Sequence, residues 1–229
     1  MRLLEVFHQG DGVLAAVFVL LLLMSVASWS LIVVSGQRLW RTRRRGLRLN
    51  QLFWDAQDME AAMQAVRGED HPLARIATEA QAALQHFDAH AARKLAGRCS
   101  LDEFLVRAIR NRMSKEITCH ERGLTFLASV GSTAPFIGLF GTVWGIYHAL
   151  LGLSARGQAT IDVVAAPLGE ALIMTALGLA VAIPAVLGYN ALVRGNRVLA
   201  SELDAFAHDL HALLLTGARP SAAQAREAA

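Results

Sequence analysis

Long runs without charge divide the chain into apolar and polar segments. Residues 12–37 and 123–155 contain no Asp, Glu, Lys or Arg, and residues 163–193 contain only one such residue, Glu170. Each run exceeds the roughly 20 residues that an α-helix needs to cross the hydrocarbon core of a bilayer. The predicted transmembrane helices are residues 12–35, 123–152 and 163–193.

The polar segment between the first two runs, residues 36–122, also has a helical pattern. Apolar residues recur there at steps of three and four, which places them on one face of a helix. They are Leu52, Phe53, Ala56, Met59, Ala62, Met63 and Val66. Gly68 and Pro72 then interrupt the pattern, and a second helix is predicted over about residues 72–95.

Ser100 marks the predicted start of a third helix, because its hydroxyl can cap the amide of Glu103 while Glu103 caps in return. No proline separates this helix from the second apolar run. The sequence therefore predicts one helix over about residues 100–152, bent near Gly131 and Pro135. The third apolar helix is predicted to continue well beyond the bilayer. The predicted fold class is an all-α membrane protein, with three transmembrane helices and long cytoplasmic helical extensions.

Basic residues predict the orientation, because cytoplasmic loops of membrane proteins carry an excess of Lys and Arg. Of the 22 Lys and Arg residues, only Arg2 and Arg156 fall on the side of the N-terminus. We therefore expect the N-terminus on the outer side of the membrane and the C-terminus in the cytoplasm. The outer parts are then residues 1–11 and 153–162, and the cytoplasmic parts are residues 36–122 and the C-terminal helix and tail, 194–229.

Composition and motifs exclude several classes of function. The arginines of residues 41–48 belong to the cytoplasmic excess of basic residues, so membrane anchoring explains them better than a nucleic-acid partner does. The two cysteines, Cys99 and Cys119, have no metal-ligand spacing around them and are interpreted as free thiols. No metal site, cofactor or enzyme is predicted, since the sequence lacks HExxH, a glycine-rich phosphate loop and a nucleophile with a positioned base.

Small residues line one face of the second predicted span and one face of the third. They recur at alternating steps of four and three, which keeps them on one side of each helix. The second span carries Gly131, Pro135, Gly138, Thr142, Gly145, Ala149 and Gly152, and the third carries Ala171, Thr175, Gly178, Ala182 and Ala185. Such a face permits close approach of another helix or lines a pore, and the sequence leaves both interpretations open.

Each small face contains one hydroxyl near its middle. At a rise of about 1.5 Å per residue, Thr142 and Thr175 both lie roughly 15–18 Å below the outer end of the bilayer, near its midplane. Glu170 lies about 10 Å below the same end. It is interpreted either as an interfacial carboxylate that reaches the outer surface or as a polar group that faces a lumen or a partner.

Two sequence blocks resemble a known family. GSTAPFIGLFGTVWGI and VVAAPLGEALIMTALGLAVAIPAVLGYN, which lie within residues 129–193, resemble the ExbB/TolQ proteins and, more distantly, the flagellar stator protein MotA. The three predicted spans and the insertion after the first agree with the topology of that family. The chain differs slightly from the family in one place. The family often has Gly-Ile-Ala-Glu-Ala where this chain has Leu168-Gly169-Glu170-Ala171, and this difference leaves Glu170 in place.

The resemblance implies a function. ExbB-like proteins form homopentamers whose second and third helices line a pore, and the pore holds single-span helices of ExbD with an essential Asp. Proton flow there energises TonB, which opens outer-membrane transporters for iron–siderophore complexes, haem or vitamin B12. The resemblance places pore threonines at Thr142 and Thr175 and an intramembrane glutamate at Glu170. It also implies the bacterial inner membrane, with the outer parts of the chain in the periplasm. The implied partners are an ExbD-like protein, a TonB-like protein, further copies of the chain and the lipid bilayer.

Three other interpretations are open. A TolQ-like subunit would energise constriction of the cell envelope with TolA and TolR. A MotA-like flagellar stator usually has four membrane helices, whereas the sequence predicts three. A passive membrane scaffold would use its small-residue faces only for packing, and it would conduct no protons.

Overall fold

Six α-helices make up the part of the chain that the structure describes. The structure is a computed structural model, and it describes residues 12–90, 100–156 and 161–217. The helices are α1 (Gly12–Trp54), α2 (Met59–Val66), α3 (Pro72–His90), α4 (Leu101–His120), α5 (Leu124–Arg156) and α6 (Ile161–Thr216). No β-strand occurs in those three ranges.

Three helical stretches are long and apolar enough to cross a membrane. They lie within Gly12–Trp54, Leu101–Gly152 and Leu168–Thr216. Large apolar side chains on these stretches are exposed, as expected for surfaces that lipid or another protein covers. The predicted fold class, an all-α membrane protein with three apolar helices, is confirmed. The side of the membrane assigned to each segment stays a prediction.

The helix predicted over residues 100–152 is interrupted, so that expectation was wrong in one respect. α4 ends at His120, a three-residue turn follows, and α5 begins at Leu124. Gly123 in this turn has a φ of +87°, a left-handed conformation that an α-helix does not include and that glycine adopts at little cost. A Cβ here would also lie 3.1 Å from Cδ2 of Leu31. Pro135, by contrast, lies inside α5.

The helical pattern from Leu52 to Val66 belongs to two helices rather than one. α1 continues from the first apolar run as far as Trp54, and α2 begins at Met59. The Asp58 carboxylate accepts a hydrogen bond of 2.7 Å from the Ala61 amide, which caps the new helix. An aspartate cap stabilises a helix start by about 1 kcal/mol.

The predicted capping of α4 is confirmed on one side. The amide of Glu103 donates to Oγ of Ser100 over 3.2 Å. The Glu103 carboxylate, however, accepts a hydrogen bond from Arg107, one helical turn further on.

The second predicted helix corresponds to α3, which ends at His90, and residues 91–95 lie outside the described ranges.

The helices form two compact units. The membrane unit comprises α1 up to Gly36, then α5, and α6 up to Val193, whereas the polar unit comprises the remaining helices and helix ends. The polar unit has a core of its own, in which the rings of Phe53 and Phe206 meet edge to face with centroids 5.2 Å apart. Other buried members of that core are Val66, Leu73, Ile76, Ala77, Ile109, Leu203 and Leu210.

Candidate functional site

The small-residue faces of α5 and α6 pack against each other inside the membrane unit. A Cβ placed on Gly138 would lie 2.6 Å from the carbonyl oxygen of Met174, and one on Gly178 would lie 2.6 Å from that of Ala134. No larger side chain fits at either glycine unless the backbones separate. The two helices therefore touch backbone to backbone, as small residues permit between membrane helices.

The contact continues along both helices in antiparallel order. A Cβ on Gly131 would lie 2.5 Å from Cγ2 of Val186, and one on Gly145 would lie 2.8 Å from Cβ of Ala171. Ala182 is also buried. The structure thus brings together five of the predicted face residues, namely Gly131, Gly138, Gly145, Ala171 and Gly178.

Pro135 and Gly152 are exceptions among the predicted face residues. Gly152 is exposed, and a Cβ there would have no neighbour within 4 Å. Pro135 is only half-buried, and its neighbour Ala134 is fully buried at the point where α6 approaches. Ala134 and Pro135 are adjacent in the same helical turn. The sequence stripe includes the proline, whereas α6 approaches α5 at the alanine, which the sequence analysis missed.

Thr142 and Thr175 meet at the centre of this contact. Their Oγ1 atoms are 2.5 Å apart. Thr142 is buried, with 6% of its surface exposed, and its Oγ1 also lies 3.0 Å from the carbonyl oxygen of Ala171 and 3.2 Å from that of Gly138. Thr175 is half-buried. The hydroxyls that the sequence places at similar depth thus form one polar pair between α5 and α6.

The number of hydroxyl hydrogens determines which threonine of the pair donates the hydrogen bond. A threonine hydroxyl has one hydrogen to donate, and Thr142 faces two carbonyl oxygens that can only accept. Thr142 therefore donates to a carbonyl, and the short contact between the hydroxyls uses the hydrogen of Thr175. Thr175 is left with oxygen lone pairs that can accept a further hydrogen bond. The pair can relay hydrogen bonds but does not titrate.

Glu170 lies one residue before the contact line of α6. Its neighbour Ala171 faces Gly145, whereas Glu170 itself is exposed. Within the described ranges the structure gives this carboxylate no hydrogen bond and no ion pair. An exposed acid on an apolar helix needs water or a partner. The structure does not bring Glu170 into contact with the two threonines.

α1 covers one edge of the α5–α6 pair. A Cβ on Gly141 would lie 3.1 Å from both Cγ1 of Val17 and Cβ of Met174, so α1 and α6 both approach α5 at that glycine. A Cβ on Gly188 of α6 would lie 2.5 Å from Cγ1 of Ile32. Gly141 and Gly188 were missed in the sequence because they fall outside the two small-residue stripes. Their only signal is the absence of a side chain.

These features define a helical membrane protein in which two glycine-rich spans are joined by a hydroxyl pair. The family model described as "MotA/TolQ/ExbB proton channel family" matches residues 69–205, which include both spans. The chain belongs to the MotA/TolQ/ExbB proton channel family.

Individual relatives cover most of the chain. It is 48% identical over 215 residues to the biopolymer transport protein ExbB of Neisseria meningitidis, which is 94% of this chain and 98% of that protein. It is 44% identical over 207 residues to ExbB of Xanthomonas campestris, with 89% of this chain and 82% of that protein aligned. The Tol-Pal system protein TolQ of Haemophilus influenzae is 33% identical over 204 residues, 89% of each chain.

Proposed function

We propose that the chain is the channel-forming subunit of a proton-driven motor in the bacterial inner membrane. It acts with an ExbD-like single-span protein to energise a TonB-like protein, and so powers outer-membrane import of iron–siderophore complexes, haem or vitamin B12. The identity to ExbB of Neisseria meningitidis and of Xanthomonas campestris, 48% and 44%, exceeds that to TolQ of Haemophilus influenzae, 33%, and this difference supports the assignment over an envelope-constriction role.

The observation that carries the proposal is the hydroxyl pair of Thr142 and Thr175. It supplies oxygen atoms in an otherwise apolar helix contact, and one of them keeps lone pairs for a further partner. A path for protons also needs a group that binds and releases them, which threonine cannot do. A carboxyl group on the partner helix supplies that step, and its acidic hydrogen is donated to Thr175.

Several copies of the chain surround the partner helix, in our proposal as a homopentamer. The outward faces of α5 and α6 carry large exposed apolar residues such as Phe136 and Leu187, which are 70% and 64% exposed. Neighbouring copies and lipid together cover these faces. The N-terminus lies in the periplasm and the C-terminus in the cytoplasm, in agreement with the arginines that follow the first span.

Thr175→Val tests the pair directly, because valine keeps the shape of threonine and removes the hydroxyl. In vesicles that contain the chain and its ExbD-like partner, we expect proton flux, read with a pH-sensitive dye, to fall by about tenfold, equivalent to about 1.4 kcal/mol. Thr175→Ser restores the oxygen and is expected to conduct.

Thr133→Val is the matched control for that experiment. Thr133 is an exposed hydroxyl of the same unit, and it donates only to the carbonyl oxygen of Ser129 in its own helix. Its removal is expected to leave the flux unchanged. Normal flux through Thr175→Val vesicles, with assembly intact by native mass spectrometry, would show that the pair is not on the proton path.

A complementation assay separates the TonB-linked role from the TolQ-linked one. The gene is expressed in a strain that lacks its own ExbB and TolQ proteins. Growth on a siderophore as iron source is the outcome expected from the proposal. Restored resistance to detergent without siderophore growth would assign the chain to envelope constriction instead.

A further inference from the structure

His71 joins two helices of the polar unit. It directly precedes α3, and only 3% of its surface is exposed. Its Nε2 atom lies 3.0 Å from the carbonyl oxygen of Thr42 in α1, and its Nδ1 atom accepts a hydrogen bond of 3.1 Å from the amide of Leu73. The ring lies over Gly46 of α1, where a Cβ would be 3.1 Å from two ring atoms.

These two hydrogen bonds fix one protonation state of the ring. A carbonyl oxygen can only accept, so Nε2 carries the hydrogen, and Nδ1 must offer a lone pair to the Leu73 amide. The ring is therefore neutral. Through Nδ1, His71 caps the first turn of α3, and through Nε2 it fastens the same turn to α1.

A second proton on His71 would oppose the structure in three ways. It would occupy Nδ1 and remove the cap of α3. It would put a positive charge at the N-terminal end of that helix, where the helix dipole is already positive. It would also charge a ring that is buried and lies near Arg75 and Arg45. Burial, followed by these two arginines, lowers the pKa of His71 below its ordinary 6.5, against the raising effects of the Thr42 carbonyl and Glu69.

The surrounding charges extend this junction to the other helices of the polar unit. Arg75 donates from Nε and Nη2 to the buried carboxylate of Glu116 in α4, over 2.9 and 2.6 Å, and its Nη1 pairs with Asp70. Arg112 also pairs with Glu116. His120 lies at the end of α4, where the charges of Arg38, Arg75 and His71 act on it.

We propose that His71 is an acid-sensitive latch, which in its neutral form holds the first turn of α3 against α1 and which releases that turn when it binds a second proton.

Hydrogen exchange tests the latch on the full chain alone, without partner or flux. After correction for the intrinsic pH dependence of exchange, the first-turn amides of α3 are expected to open about tenfold more often at about pH 5.5 than at about pH 7.5, equivalent to about 1.4 kcal/mol. In His71→Asn the side-chain oxygen can still cap α3 but does not titrate. That variant is expected to show no difference between the two pH values.

Two controls isolate His71. His208→Asn replaces an exposed histidine of the same unit, and His120→Asn replaces the nearby histidine that also titrates. Both are expected to keep the pH response. An unchanged response in His71→Asn, or loss of the response in His120→Asn, would overturn the proposal, and so would a wild-type chain without any response.

A direct titration covers the case in which His71→Asn does not fold. In a chain with isotope-labelled histidine, the ring signal of His71, assigned as the one perturbed in Gly46→Ala, is expected to titrate below pH 6.5 together with the first-turn amides. A midpoint at or above 6.5 would contradict the latch. Because these experiments need no proton flux, a negative result leaves the proposed channel function standing.

Discussion

At the scale of single residues, the three oxygen neighbours of Thr142 determine its role in the hydroxyl pair. Its hydrogen goes to a carbonyl, so its oxygen receives the hydrogen of Thr175 and holds that hydroxyl in one orientation. Thr142 is thus the buried, orienting member of the pair. Thr175 is half-buried, so in the proposed function it is the member that would meet the partner's carboxyl group.

Glu170 is the other residue whose role can be tested singly. We expect Glu170→Ala to lower proton flux, or recovery of the ExbD-like partner on co-purification, by about tenfold, since loss of a charged hydrogen-bond partner costs roughly 1.5–3 kcal/mol. Glu170→Asp keeps the carboxylate and is expected to retain most of both. If flux and partner recovery are unchanged in Glu170→Ala, the carboxylate only contacts the membrane surface.

At the scale of elements, α5 and α6 depend on glycine at their closest approach. Gly178→Ala would force a Cβ to within 2.6 Å of the Ala134 carbonyl oxygen, which belongs to backbone and cannot rotate away. We expect a loss of about 1–3 kcal/mol in the free energy of unfolding, the range for overpacked contacts. Thermal denaturation in detergent measures it.

Gly169→Ala is the matched control for this element-scale prediction. It lies on the same helix, and a Cβ there would have no neighbour within 4 Å. Alanine also favours helix, so the melting temperature is expected to stay constant or to rise slightly. Equal behaviour of the two variants would mean that α5 and α6 are further apart than the contact between Gly138 and Gly178 requires.

The elements also show what the sequence could predict. Uncharged runs predict the three spans, because a bilayer tolerates few charges. Both threonines were singled out at similar depth because each small face has a hydroxyl near its middle, but their contact was not predicted. The break at Gly123 was missed, since glycine alone does not reveal a positive φ. Ala134 and Gly141 were missed because the contact depends on how α5 and α6 are rotated against each other, and the residues of one helix alone do not specify that rotation.

At the scale of the whole molecule, two buried or half-buried histidines make stability depend on pH. The pKa values of His71 and His120 are both lowered, chiefly by burial. Between these lowered values and the ordinary 6.5, the unfolded chain binds more protons than the folded one. Their contribution to stability is therefore complete above pH 6.5 and is lost as the pH falls below it.

We accordingly expect the melting temperature of the full chain in detergent to drop when the pH is lowered from about 7.5 to about 5.5, the range in which ordinary histidines titrate. In His71→Asn the drop should be smaller, because one of the two lowered groups is gone. A melting temperature that rises on acidification would contradict the direction of both shifts.

The hydroxyl pair also bears on which ion the molecule could pass. A dehydrated sodium or potassium ion must replace its water shell with several oxygen ligands at once. Within one copy of the chain, the Thr142 oxygen and its carbonyl neighbours are already engaged with one another, which leaves the Thr175 oxygen as the free acceptor of this pair. If the pair lines the proposed path, each copy offers one oxygen ligand, which suits a proton carried on a carboxyl group better than a dehydrated alkali cation.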